Sequence, residues 1–273
     1  MRDIWSKHPI VWEDEKNIYC SCVFTWQLHK LIEERKRFDK QIIIGGPATI
    51  LMPEIITNDI IIGKEKPNAL FMHCSIATKT SIGCIRKCAF CSVNRIEPEF
   101  KELSEWENKP ILIDNNLLAC SMAHFHKVID GLKKLLWCDF NQGLDARLLK
   151  KEHAQRFAEL KKPLIRLSFD SIEYENAFLN AYQLLKNEGI SNNHIQVYVL
   201  IGFNDDPVDA LYRLNLIRKL VLLPNPMRYQ ALNSKKRNEF VNEKWTDRLL
   251  KKYMRYFANL RITSRIPFEE FKY

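Results

Sequence analysis

From about residue 110 onward the chain alternates short apolar runs with amphipathic ones, and that alternation leaves few folds open. Pro110–Ile113 reads as strand, and Ser121 caps a helix running to about Leu136. Trp137–Asn141 reads as strand and Leu148–Leu160 as helix. Pro163–Phe169 is strand, then Ile172–Glu188 helix, with Gly189 as its stop. Ile195–Ile201 is a β-branched-rich strand, and Asp206-Pro207 opens a helix to Leu220 with proline in its first turn. Met227–Ala231 would be a sixth strand and Trp245–Leu260 a closing helix. Strand–helix alternation of this kind implies a parallel sheet joined by right-handed crossovers. With Ala77–Ile82 as first strand, about six β/α units result, enough to curl into an incomplete (β/α)6 barrel. The reactive groups of such folds sit at the C-terminal strand ends.

Ahead of this, Asn17–Phe24 reads as strand, Thr25 starts a helix to about Arg37, and Gln41–Ile44 is strand ending in Gly45-Gly46-Pro47. This is a truncated, Rossmann-like β-α-β segment. The expected division is residues 1–70 for that segment, 71–232 for the partial barrel and 233–273 for a basic helical cap. No run of 18 apolar residues exists and the N-terminus lacks a signal-peptide pattern, so a cytoplasmic protein without membrane association is expected. Eight cysteines would then stay mostly reduced. The net charge of +9 is concentrated between Arg228 and Arg265, where eleven Lys/Arg face three acids, a local surplus of +8. Tyr229, Phe240, Trp245, Tyr253, Tyr256 and Phe257 are interleaved there. That pattern suits either a polyanionic substrate such as nucleic acid, or an amphipathic helix whose aromatics face the core.

The chemistry points to one loop. Cys84, Cys88 and Cys91 fall within eight residues, while Cys74 lies ten residues before and Cys120 lies 29 after. Three thiolates this close can hold one metal centre and leave a coordination position open, the mark of a metal that reacts. A structural zinc would need a fourth ligand from His73, Cys74, Cys120 or His124, and would pair with a nucleic-acid-binding module rather than an enzyme. Arg86 and Lys87 between the cysteines are poor core residues, which argues against an inert buried triplet.

The spacing C-x3-C-x2-C, with Phe90 before the last cysteine, resembles the signature of the radical S-adenosylmethionine (radical SAM) superfamily. The resemblance extends over roughly residues 77–231. It implies that Cys84, Cys88 and Cys91 hold a 4Fe–4S cluster whose fourth iron is chelated by S-adenosylmethionine. Reductive cleavage would then yield a 5′-deoxyadenosyl radical for C–H activation, with electrons from a flavodoxin- or ferredoxin-type donor. Asp114, Asn115 and Asn116 match the motif that takes the methionine amino group, although Asp and Asn are also turn formers. Ser168 and Asp170, in Leu167-Ser-Phe-Asp-Ser171, match a ribose-binding motif, with capping of the next helix by Asp170 or Ser171 as the plainer role. Ile201 and Gly202 match an adenine-contact motif, Gly202 permitting close backbone approach. The words Ile42-Ile-Ile-Gly-Gly-Pro-Ala-Thr49 resemble the end of a cobalamin-binding domain, but its D-x-H-x-x-G motif is absent, so cobalamin is not expected. Asn141, Gln142, Asp145 and Arg147 follow the third strand as substrate-side or scaffolding candidates. Cys120 and Cys138 are a thiol source or buried packing, and Cys20 and Cys22, alternating on a strand, are read as packing.

Overall fold

The computed structural model describes residues 5–35, 37, 39–56, 60–63, 69–263 and 265–272. It divides into two compact units, each discontinuous in sequence: a smaller one of residues 1–77, 86–99 and 230–240, and a larger one of 78–85, 100–229 and 241–273. This division does not follow the three consecutive segments expected. Among the described residues no helix is long and apolar enough to cross a membrane.

The larger unit is built on a seven-stranded sheet. From one edge its order is Leu223–Arg228, Ile195–Ile201, Pro163–Ser168, Cys138–Phe140, Ile111–Leu112 and Ala77–Thr78, with Leu144–Asp145 also paired to Pro163–Ser168. The pairings of Ile195–Ile201, Pro163–Ser168 and Cys138–Phe140 with their neighbours are parallel. On strand Ile195–Ile201 the odd residues are buried and Gln196, Tyr198 and Leu200 are half-buried. Its register sets Ile165 beside Ile195 and Leu167 beside Val197. Against that apolar face lie Phe178, Ala181 and Leu185 of helix Glu175–Asn187, and Ala210, Leu214 and Ile217 of helix Pro207–Lys219. Both triplets follow helical spacing, and each large apolar side chain so buried contributes on the order of 1.5–3 kcal/mol.

The helix starts come from side chains that satisfy otherwise unpaired N–H groups. Asp206 accepts from Val208 N and Asp209 N at 2.9 Å each, Ser121 from His124 N at 3.2 Å, and Thr246 from Leu249 N at 3.1 Å. The last strand is Leu223–Arg228 rather than Met227–Ala231. Pro224 and Pro226 hide it in the sequence, yet they fit because this strand is an edge. The first strand expected over Ala77–Ile82 is two pieces. Ala77–Thr78 belongs to the large sheet, whereas Ser81–Ile82 pairs antiparallel with Lys101–Glu102. The closing helix is Asp247–Phe257, and Leu250, Tyr253, Tyr256 and Phe257 are all buried in the core. The basic stretch therefore spends its helical aromatics on packing. Lys251 pairs with Asp247 at 2.6 Å, as does buried Arg228 at 2.7 Å.

The smaller unit carries a four-stranded sheet in the order Ile10–Glu13, Asn17–Ser21, Gln41–Gly45, Ile60–Ile62. The first pair is antiparallel and the other two are parallel. The β-α-β reading captured its two central strands and missed both edges. Ile18, Cys20, Ile42 and Ile44 pack with Leu28, Leu31 and Ile32 of helix Thr25–Arg35. Cys20 and Cys22 are buried there, and burial pushes the Cys22 thiol up to about 12.

Candidate functional site

Asp114 follows strand Ile111–Leu112 and is 4% exposed. Its Oδ1 accepts from Thr80 N at 2.9 Å, Thr80 Oγ1 at 2.8 Å, Ser81 Oγ at 2.7 Å and Ser81 N. Four donors on one oxygen bend the chain at residues 80–81, and this is why the first strand breaks where an uninterrupted one was expected. Among the described residues the other oxygen, Oδ2, is buried with no hydrogen-bond partner, as is Oδ1 of buried Asn116. Buried acceptors are rarely left unmatched. Asn116 Nδ2 lies 3.9 Å from Cys84 Sγ, so Asn116 stands at the start of the cysteine loop. Asn115 between them is half-buried.

Cys84, Cys88 and Cys91 are all half-buried, while the other five cysteines are buried. Cys84 belongs to the larger unit and Cys88 and Cys91 to the smaller. Cys91 N donates to Cys88 O at 3.0 Å, so these two close a tight turn, and Asn94 Nδ2 lies 3.5 Å from the same carbonyl. Phe90 within that turn is half-buried. Among the described residues no three His, Cys, Asp or Glu side chains are gathered as a metal site. The donor set nevertheless fits an iron–sulfur centre in kind: soft thiol ligands, within eight residues, reachable from outside. The side chains proposed as a fourth zinc ligand are occupied or deeply buried. His73 Nε2 lies 2.9 Å from Ser21 Oγ, and His124 Nε2 lies 3.2 Å from Thr80 Oγ1 with Nδ1 3.7 Å from Glu102. Burial pushes the Cys120 thiol up to about 12, and the same holds for Cys138.

No family model and no curated protein matches the chain. Two solved structures of TsrM from Kitasatospora setae, a radical S-adenosylmethionine methyltransferase, do. One has cobalamin and a [4Fe-4S] cluster bound: TM-score 0.51, 11% identity, 79% of this chain and 62% of that chain covered. The other has tryptophan substrate and the SAM analogue aza-SAM bound: TM-score 0.52, 12% identity, 80% of this chain and 62% of that one. The fold is like that of a radical SAM methyltransferase. At this identity the likeness is one of fold, and the chain spans less than two thirds of those structures.

On that fold the remaining sequence-predicted residues divide. Asp170, after strand Pro163–Ser168, accepts from Leu200 N at 3.0 Å through Oδ1. Burial lifts its carboxyl to about 6, against the pull of that bond and of Arg213 and Arg147. Ser168 Oγ lies 3.4 Å from Leu144 O. Ser171 caps the turn Ile172–Tyr174 by accepting from Glu173 N, the plainer of the roles considered. Ile201, matched to the adenine contact, has its side chain fully buried in the hydrophobic core. Gly202 has φ +79°, and a Cβ there would stand 2.8 Å from Leu250 Cδ2, so the turn itself and the packing of helix Asp247–Phe257 require glycine. Asp145 holds Arg147 (Nε–Oδ1 2.7 Å, Nη2–Oδ2 3.0 Å), and the guanidinium stacks 4.2 Å over Tyr174. Asn141 O accepts from Tyr198 OH at 2.9 Å.

Sequence reasoning missed Arg213. It is fully buried and donates to Asp205 Oδ2 at 2.6 Å, Asp209 Oδ1 at 2.7 Å, Phe169 O at 3.1 Å and Leu200 O at 3.0 Å. It ties the ends of two neighbouring strands beside Asp170, and Asp205 in turn accepts from Gly202 N at 2.8 Å. The one legible signal was the i, i+4 spacing of Asp209 and Arg213 on a helix. Arg166 also went unnoticed. It pairs with Asp139 at 2.6 and 2.7 Å on the sheet face away from the apolar one.

Proposed function

We propose that this protein is a radical SAM enzyme: Cys84, Cys88 and Cys91 hold a 4Fe–4S cluster, and Asp114 and Asn116 receive the methionyl end of S-adenosylmethionine. The observation that carries the reading is the pair of buried acceptors Asp114 Oδ2 and Asn116 Oδ1, which have no hydrogen-bond partner among the described residues, the second in a residue whose Nδ2 lies 3.9 Å from Cys84 Sγ. An ammonium group is a donor with no acceptor capacity, and it satisfies both oxygens while offsetting the carboxylate charge. The fold likeness to a radical SAM methyltransferase supports the same reading. When bound, cluster and cofactor supply one-electron cleavage of the sulfonium, releasing a 5′-deoxyadenosyl radical that abstracts hydrogen.

The chain's own groups do the holding. Thr80 and Ser81 fix Asp114 through Oδ1, so that Oδ2 stays available. Asp170, anchored through Oδ1 to Leu200 N, offers its second oxygen to ribose hydroxyls. Ser168 and Phe90 border the nucleoside and the cluster. The electron comes from a flavodoxin- or ferredoxin-type partner. The test is anaerobic reconstitution with iron and sulfide, then dithionite and S-adenosylmethionine. The reading requires close to four irons per chain and release of 5′-deoxyadenosine. A colourless protein that takes up zinc and no iron overturns it, and so does a fully loaded cluster that never releases the nucleoside.

A further inference from the structure

The smaller unit presents rings and cations that this chemistry leaves unused. Phe24 and Trp26 stack with ring centroids 4.6 Å apart and planes 15° from parallel, and Phe24 is 42% exposed. They flank Thr25, the buried first residue of helix Thr25–Arg35, and Trp26 is half-buried. Thr25 Oγ1 donates to Ser234 O at 2.8 Å. The three residues that follow Ser234 are Lys235, Lys236 and Arg237, all exposed. A hydrogen bond therefore ties a segment with three successive cations to one that carries a partly exposed aromatic stack.

The basic run is pre-shaped. Asn238 N donates to Gln230 Oε1 at 2.7 Å and Gln230 Nε2 to Asn238 Oδ1 at 2.9 Å, closing the loop across its base. Ser234 N donates to Ala231 O at 3.0 Å, and Lys236 N to Glu239 Oε2 at 3.2 Å. Glu239 is the one acid in residues 230–240, and among the described residues its carboxylate engages a backbone N–H. On the helix, exposed Lys30 is one turn from Trp26 and pairs with Glu34 at 3.6 Å, and all three line a cavity of about 390 Å³ with His8 and Leu31.

We propose that this surface binds single-stranded nucleic acid, with Lys235, Lys236 and Arg237 on phosphates and the Phe24–Trp26 pair stacking an unpaired base. Cations alone suit any polyanion, but a stacked pair with Phe24 exposed and Trp26 half-buried adds a preference for a strand whose bases are free to stack. On the basic helix Asp247–Phe257, by contrast, the aromatics are buried and Lys251 is paired.

The test is fluorescence anisotropy of the full chain with a labelled oligothymidylate, and the matching oligouridylate, of about a dozen nucleotides. Replacing Lys235, Lys236 and Arg237 together by alanine should weaken binding at least tenfold and lower the slope of log affinity against log salt by about two. Trp26→Ala should weaken binding about tenfold, the scale of one lost base stack, and Trp26→Phe should restore most of it. Neutralising Lys251 and Lys252 should change nothing. The proposal is overturned if neither oligonucleotide binds, if a duplex of equal length binds as well, or if Trp26→Ala matches the parent, which would leave a charge-only surface.

Discussion

Arg213→Met is the perturbation whose cost the structure defines most closely. The guanidinium is fully buried and serves two carboxylates and two carbonyls. Methionine fills a similar volume, so the loss is one of charge and hydrogen bonds rather than of a cavity. Removing one partner of a buried ion pair costs about 3–5 kcal/mol, because the remaining charge stays buried. Asp205 is the charge left behind, its side chain 8% exposed. Its carboxyl already titrates above the usual range, chiefly through burial, with Arg213 pulling it back. Without Arg213 the folded-state pKa rises further above the unfolded value. A raised acid pKa means stability that is present at low pH and lost as pH rises through the folded value. The deficit of Arg213→Met should therefore be larger at pH 8 than near pH 5, and Asp205→Asn in the same background should recover part of it. A cost of about 4 kcal/mol corresponds to a fall in Tm of roughly 8–16 °C for a protein of this size. Urea unfolding followed by circular dichroism at both pH values is the assay. A cost below about 1 kcal/mol, or one that does not depend on pH, would refute the reasoning.

Gly202→Ala should destabilise by about 1–3 kcal/mol, read as a lower urea midpoint, since the new methyl meets Leu250 at a positive φ. Asp114→Asn keeps an acceptor for the donors of Thr80 and Ser81 but loses the charge on the second oxygen; it should fold, with S-adenosylmethionine binding to the reconstituted protein weakened at least tenfold by equilibrium dialysis. Asp170 titrates near 6, so cofactor affinity should rise as pH increases through that value, and the rise should flatten in Asp170→Asn.

Much of the larger unit was legible because its signals are local. Strand Ile195–Ile201 and the start of the helix after Asp206-Pro207 stand where β-branching and capping chemistry place them. What the sequence concealed depends on distant partners. Asp114 reads as a turn former, and only in three dimensions does it grip Thr80 and Ser81, 34 and 33 residues earlier, and break the first strand. Leu223–Arg228 carries two prolines that argue against a strand until its edge position is known. The burial of Ile201 follows from the face its strand turns to the helices, which alternation alone leaves ambiguous. The basic C-terminal stretch invited a polyanion reading through interleaved aromatics, yet Tyr253, Tyr256 and Phe257 lie inside. A stacked pair that is partly exposed, Phe24 and Trp26, lies some two hundred residues earlier, in the segment hydrogen-bonded to the loop that carries Lys235–Arg237.

The most direct test of the central claim is electron paramagnetic resonance of the anaerobically reconstituted, dithionite-reduced protein, recorded before and after addition of S-adenosylmethionine. A reduced 4Fe–4S signal whose g values shift on addition is the predicted result, with the signal lost when Cys84, Cys88 and Cys91 are replaced together by alanine. A signal indifferent to the sulfonium compound, or one that survives loss of the three thiols, contradicts the account.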